Sequence, residues 1–121
     1  MDSTDFQNRT KALGLQIIRL VEFFPQTHVS RVIANQLLRC GLSVGANYRA
    51  VCRAKSAKDF IHKMKIVEEE CDETIYWLEI IMEANVMKRD VVIPLIAEAK
   101  EILAMVVASI NTKNKNIQSS I

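Results

Sequence analysis

Residues 56–85 read SAKDFIHKMKIVEEECDETIYWLEIIMEAN and contain no Gly or Pro that would break a helix. Ser56 is followed three residues later by Asp59, an arrangement typical of a capping box at a helix start. Behind this cap, apolar side chains recur at spacings of three and four, at Phe60, Met64, Val67, Cys71, Ile75, Leu78 and Met82. The pattern predicts one long helix over 56–85 whose apolar stripe faces a core.

Charge is divided unevenly around this stretch. Residues 66–83 carry seven acidic side chains and no Lys or Arg, whereas residues 31–65 carry eight basic side chains and a single acid, Asp59. The formal charge of the whole chain is only +2. A nearly neutral chain with one basic and one acidic segment tells us more about binding partners than about fold.

Length and composition indicate a single helical domain. The chain has 121 residues, which is long enough to bury a core of its own. Half of the residues are hydrophobic, 6% are aromatic, and there are only three Gly and two Pro. We therefore predict one all-α domain over residues 1–121. Its ends, 1–4 and 112–121, are expected to be mobile because they are polar and lack periodicity.

The cysteines and the apolar runs bear on the compartment. Cys40, Cys52 and Cys71 are odd in number and form no C-x-x-C pair, which favours free thiols in a reducing environment. The N-terminus begins with acidic residues and lacks the apolar core of a signal peptide, and the longest apolar run, Val91–Ala97, is interrupted by Pro94. We expect a cytoplasmic protein with no disulfide and no membrane partner.

Three further helices follow from hydrophobic periodicity. They are expected at about 5–24, 28–54 and 92–111. Gly41 lies in the middle of the second, where a kink or a division into two shorter helices is the alternative to one continuous helix. Pro94 is acceptable near the start of the fourth because the N–H groups of a first turn have no partner within the helix.

Four helices with short connections predict an up-down-up-down antiparallel four-helix bundle. The alternative is a helical hairpin that completes its core by dimerising. Leu15 and Ile18 widen the apolar face of the first helix, and Val91–Ile96 widens that of the fourth. Surplus apolar faces usually mark subunit contacts, so we expect a homo-oligomer.

A set of polar residues on the second and third helices, here called the polar seam, is expected to meet across the hairpin. If the chain turns near Lys55, residues whose numbers sum to about 110 lie level with one another. The seam consists of Gln36, Arg39, Ser43 and Asn47 facing Glu70 and Glu73. Since an unpaired buried charge is costly, we expect Arg39 to pair with a glutamate and fix the register. The alternative is a ligand or catalytic site.

The seam also carries a family resemblance, which extends over residues 13–110. Its specific part is Gln36, Leu37, Arg39, Ser43, Ala46 and Asn47, followed by Phe60, Lys63, Glu70, Glu73, Thr74, Trp77 and Leu78. This pattern resembles the four-helix-bundle proteins encoded in intervening sequences of bacterial large-subunit ribosomal RNA genes. It is more distantly similar to the accessory variability determinant proteins of diversity-generating retroelements.

The resemblance implies a bundle assembled as a homopentameric ring with no established enzymatic activity. The retroelement relatives imply binding of nucleic acid and of a reverse transcriptase through a basic surface. Many family members carry Glu shortly after the Asn of the motif, where this chain has Arg49. The surface of this chain is therefore expected to be more basic there than the commoner pattern.

Metal and nucleophilic chemistry find little support in the residues. Di-metal bundles need Glu-x-x-His on two helices, and this chain offers only Asp59-x-x-His62. The consecutive carboxylates of residues 68–73 point around a helix and do not converge. No histidine is spaced as a base for a cysteine nucleophile. We predict no metal, no cofactor and no enzymatic activity.

Six cations, here called the basic rim, cluster around the turn between the second and third helices. They are Arg49, Arg53, Lys55, Lys58, Lys63 and Lys65. In a ring they would repeat in every subunit and suit the phosphates of RNA or DNA irrespective of sequence. No aromatic residue is expected among them, so base stacking is not predicted. The alternative is that these charges pack against the acidic helix of a neighbouring subunit, which would make the protein an assembly or scaffold protein.

Overall fold

The computed structural model describes residues 2–120. It contains four α-helices: α1 (Ser3–Glu22), α2 (His28–Val51), α3 (Ala57–Glu83) and α4 (Arg89–Ser119). Met1 and Ile121, which belong to the ends predicted to be mobile, lie outside the described residues. Within residues 2–120 no helix is both long and apolar enough to cross a membrane.

Contacting pairs show that neighbouring helices run in opposite directions. On α1 and α2, Phe6 stacks edge-on against Tyr48, while Gly14 lies against Leu42. On α3 and α4, the Cys71 thiol donates to the carbonyl of Ala99, while the earlier residue Phe60 lies under the later residue Lys113. The predicted up-down-up-down antiparallel four-helix bundle is therefore confirmed.

The core is one cluster to which all four helices contribute. Its fully buried large side chains include Leu13, Ile17, Leu37, Met64, Leu78, Ile102 and Val106. Consecutive helices pack closely, whereas α1 and α4 make the fewest contacts. That open side is bridged by Arg9, which donates from Nε and Nη2 to the two carboxylate oxygens of Glu98 at 2.8 and 2.7 Å.

Local signals explain where α3 begins and ends. Ser56 is its N-cap, and its hydroxyl accepts from the N–H of Asp59 at 3.0 Å. At the other end Asn85 adopts a left-handed conformation with φ of 57°. The N–H groups of Asn85 and Val86 then donate to the carbonyls of Met82 and Ile81, which is the Schellman arrangement that ends a helix.

The bounds of the other helices differ from the predictions. Helix α1 spans 3–22 where 5–24 was expected, and α2 ends at residue 51, three residues before the predicted 54. Helix α2 is continuous through Gly41, so it is not divided into two helices.

The prediction of 92–111 for the fourth helix is wrong at both ends, because α4 begins at Arg89 and continues to Ser119. Pro94 consequently lies beyond the first turn, where its missing N–H deprives the carbonyl of Asp90 of a helical partner. Asp90 is exposed, so water can satisfy that carbonyl. Residues 112–119, expected to form part of a mobile tail, are helical. Extension of an existing helix adds one hydrogen bond per residue and needs no hydrophobic periodicity.

Candidate functional site

The basic rim lies at the end of the bundle where α1 begins and α4 ends. Arg49 is in the last turn of α2, Arg53 and Lys55 are in the connection to α3, and Lys58 is in the first turn of α3. All four side chains are exposed, and within residues 2–120 none of them forms an ion pair. The structure therefore brings these four cations together, free to meet an anion.

The other two predicted rim residues have different surroundings. The Lys63 ammonium lies 2.9 Å from Oδ2 of Asp59 one turn earlier, and both side chains are partly exposed. The Lys55 N–H and then Lys63 donate to this carboxylate and hold the pKa of Asp59 below its usual value. Lys65 lies farther along α3, in a cavity shared with Glu68, Glu69 and Asp72. Unlike the other four cations, Lys63 is thus paired with a carboxylate, and Lys65 lies beside acidic residues.

The structure adds Lys113 to this end of the molecule, a residue that sequence analysis missed. The Lys113 ammonium lies 4.8 Å from the centre of the Phe60 ring. Lys113 and Lys55 line the same cavity of about 420 Å³, together with Phe60. The prediction that no aromatic residue lies among the rim cations is therefore wrong. Phe60 stands between Lys58 and Lys63 in the sequence, and this position could have indicated an aromatic residue among the rim cations.

In the polar seam, Arg39 of α2 reaches both glutamates of α3. Its Nη2 donates to Oε2 of Glu73, and its Nη1 lies 3.6 Å from Oε2 of Glu70. Trp77 donates from Nε1 to the same Glu73 oxygen at 3.2 Å, and Arg39 also donates to Oε1 of Gln36 at 3.3 Å. The Arg39 side chain is 50% exposed, so the seam lies at the surface and not within the core.

Two seam residues do not take part in this network. The Ser43 hydroxyl donates to the carbonyl of Arg39 at 2.6 Å, and the Asn47 amide donates to the carbonyl of Ser43 at 2.9 Å. Both bonds stay within α2. The polar contact between α2 and α3 in the seam is therefore made by Arg39 with Glu70 and Glu73. Its register is close to the one expected from a turn near Lys55.

Glu70 is incompletely satisfied in this arrangement. Its Oε2 is buried and accepts no hydrogen bond from residues 2–120. Burial raises the pKa of Glu70, and the nearby Arg39 charge opposes this only in part. A folded-state pKa above the unfolded value means that this group favours folding at low pH, and that the contribution is lost as pH rises through the folded pKa.

We therefore expect Glu70→Gln to raise the stability at pH 7 by about 1 kcal/mol, because it removes a negative charge whose burial outweighs the opposing effect of Arg39. The gain should shrink as the pH falls below the usual range of a glutamate. Urea unfolding of both proteins between pH 4 and pH 8 measures it. Glu73→Gln is the matched control and should be destabilising, since Glu73 accepts from Arg39 and Trp77. A destabilised Glu70→Gln protein at pH 7 would contradict the explanation.

The two buried cysteines offer little nucleophilic chemistry. All three are free thiols, with Cys40 and Cys71 buried and Cys52 exposed. Burial raises the pKa of Cys40, and it raises the pKa of Cys71 to about 12, so neither forms the reactive thiolate near neutral pH. No three Cys, His, Asp or Glu side chains between residues 2 and 120 group as metal ligands would.

Comparison with known proteins agrees with the helical bundle. The family model described as "23S rRNA-intervening sequence protein" matches residues 3–108. A crystal structure of a protein of unknown function from the S23 ribosomal protein family of Bacteroides thetaiotaomicron superimposes with a TM-score of 0.81 at 30% sequence identity. The match covers 87% of this chain and 97% of that one. A search of curated proteins found no match. The chain belongs to the 23S rRNA-intervening sequence protein family.

Proposed function

We propose that this protein is a non-enzymatic, cytoplasmic homo-oligomer that binds RNA or DNA through its basic rim. The observation that carries the proposal is the cluster of Arg49, Arg53, Lys55 and Lys58, which are exposed and lack ion-pair partners within residues 2–120. Exposed cations whose side chains are not paired with carboxylates are suited to phosphate oxygens, whose neutralisation releases condensed counterions.

Two of the chain segments beside the rim carry no acidic residue, although Asp2, Asp5 and Asp59 lie at the same end of the bundle. Helix α2, which ends there, contains no Asp or Glu, and neither do residues 102–120 of α4. Lys113 and Lys115 from the extended end of α4 add further positive charge beside the rim. In a pentameric ring, the arrangement implied by the family resemblance, each subunit would present the same cations and binding would be multivalent.

Paired charge reversals test this proposal. We expect Arg53→Glu with Lys58→Glu to weaken binding of a fluorescent RNA or DNA by roughly tenfold or more, and to flatten the dependence of log K on log salt. Fluorescence anisotropy across a salt series measures both quantities.

The matched control is Lys88→Glu with Arg89→Glu, exposed cations at the opposite end of the bundle. It changes the net charge by the same amount and should leave binding nearly unchanged. Equal losses in the two double variants would show that overall charge, and not the rim, governs binding. No binding to the unaltered protein at low salt would refute the proposal.

A second candidate function is assembly with protein partners, and the exposed stripe of α3 favours it. This stripe is basic at one end and acidic at the other, as the following residues show: Lys58, His62, Lys65, Glu69, Asp72, Tyr76 and Glu83. A surface with separated charges can meet the complementary part of a neighbouring copy head to tail. Light scattering after size exclusion at low and high salt, with and without RNA, distinguishes assembly from nucleic-acid binding. An oligomer that dissociates in moderate salt and never retains RNA would favour assembly.

A further inference from the structure

The cavity at the basic rim, here called the rim cavity, combines the parts of a nucleotide site. It is about 420 Å³ in volume and is bounded by the end of α2, the start of α3 and the extended end of α4. An aromatic ring, Phe60, lines it between the cations Lys55 and Lys113, and the hydroxyl-bearing residues Ser3 and Ser56 also border it. A concave site with an apolar wall and a few polar groups is the usual form of a small-ligand site.

One face of the Phe60 ring is approached by the ammonium of Lys113. Phe60 is partly buried and packs against the core, while the Lys113 ammonium lies 4.8 Å from the centre of its ring. A cation–π contact at an exposed site changes an equilibrium by only about two- to fivefold. Stacking of a nucleobase on an aromatic side chain is worth about five- to 150-fold. A base can therefore displace the ammonium, which stays near enough to meet a phosphate.

The segment that carries Lys113 has little to hold it against the bundle. Ile110 is the last buried residue of α4, and beyond it only Lys113 and Ile117 are even partly buried. The intervening residues include Asn111, Asn114 and Asn116, whose helix propensity is low. The end of α4 can therefore shift to admit a ligand without disturbing the core.

We propose that the rim cavity takes one unstacked base of a single-stranded nucleic acid, with Phe60 as the stacking platform and Lys55 and Lys113 on the flanking phosphates. Bases within a duplex are paired and stacked on both faces, so they cannot reach the ring. This inference rests on the proposed function and narrows it from nucleic acid in general to single strands.

The test compares one strand with its own duplex. A fluorescent 12-nucleotide RNA of mixed sequence is used as a single strand and annealed to its complement. Its binding to the full-length protein is measured by anisotropy. We expect Phe60→Leu to weaken binding of the single strand by about tenfold, without altering duplex binding or the salt slope. Phe60→Tyr retains the ring and should bind like the unaltered protein, which separates lost stacking from lost folding. Thermal unfolding of each variant accompanies the binding data.

Two further variants serve as controls. Phe23→Leu removes another aromatic residue, 77% exposed at the opposite end of the bundle, and should change nothing. Lys113→Gln should lower the salt slope for the single strand by about 0.7. If Phe60→Leu binds the single strand as well as the unaltered protein, the stacking site is refuted while nucleic-acid binding by the rim stands. If the unaltered protein binds neither strand nor duplex, both proposals fail.

Discussion

Replacing Gly45 with Val is expected to lower the free energy of unfolding by about 2–3 kcal/mol, because it overpacks the contact between α1 and α2. A Cβ at Gly45 would lie 3.3 Å from three backbone atoms of Thr10 and Lys11. Backbone cannot rotate away as a side chain can, and the two further carbons of Val need still more room. The better helix propensity of Val offsets only a few tenths of a kcal/mol. Urea unfolding followed by circular dichroism measures the change.

Gly14→Val is the matched control on the facing helix. A Cβ there would lie 3.1 Å from Cδ2 of Leu42, the end of a side chain that is partly exposed and can turn toward solvent. We expect a clearly smaller loss of stability than at Gly45. If the two variants lose equal stability, the close approach of the helix backbones at Gly45 is not what constrains the α1–α2 contact.

These glycine contacts illustrate what the sequence could and could not predict. Periodic apolar residues were enough to place four helices and their antiparallel order, because each helix needs only a local pattern to identify its buried face. Ser56 and the cap it forms marked the start of α3 to within one residue. Gly41, by contrast, was considered only as the place of a kink or division in α2, yet Gly41 and Gly45 both face α1. Their actual role, to let α1 approach, depends on which residues face them across the bundle.

The candidate site, likewise, could be predicted from the sequence only in part. Arg49, Arg53, Lys55 and Lys58 are close in sequence, so their clustering at one end followed from the turn between α2 and α3. The rim cavity also needs Lys113, which lies more than fifty residues from Phe60 in the sequence and reaches it only because α4 continues past residue 111. No local pattern indicates that continuation, since the segment is polar and rich in Asn. The more distant similarity to retroelement accessory proteins stays a prediction.

The contact between α1 and α4 provides the second large effect on stability. Arg9→Gln is expected to lower the free energy of unfolding at pH 7 by about 1–2 kcal/mol. Arg9 binds Glu98 through two hydrogen bonds and lies 3.0 Å from Glu101, across the side of the bundle where helix contacts are fewest. Solvent screens part of this interaction, since the Arg9 and Glu98 side chains are 30% and 28% exposed.

The loss of stability caused by Arg9→Gln should depend on pH in a defined direction. Hydrogen bonding to Arg9 holds the pKa of Glu98 below its ordinary value of 4.5, and the same contacts raise the pKa of Arg9. A depressed folded-state pKa contributes stability that is present above the unfolded pKa and is lost as pH falls through the folded value. The difference between the unaltered protein and Arg9→Gln should therefore be largest near neutral pH and should shrink below about pH 4.5.

A double-mutant cycle isolates this interaction from general effects of charge. Arg9→Gln, Glu98→Gln and the double variant are unfolded in urea at pH 7 and at pH 4, and the coupling energy is compared between the two conditions. We expect a favourable coupling at pH 7 that begins to decline at pH 4, because Glu98 of the unfolded chain binds a proton at higher pH than Glu98 of the folded protein. A coupling near zero at pH 7 would mean that the Arg9 bridge does not hold α1 to α4. The apolar contacts of Leu20 and Leu95, which line a groove between the same two helices, would then have to close that side of the bundle.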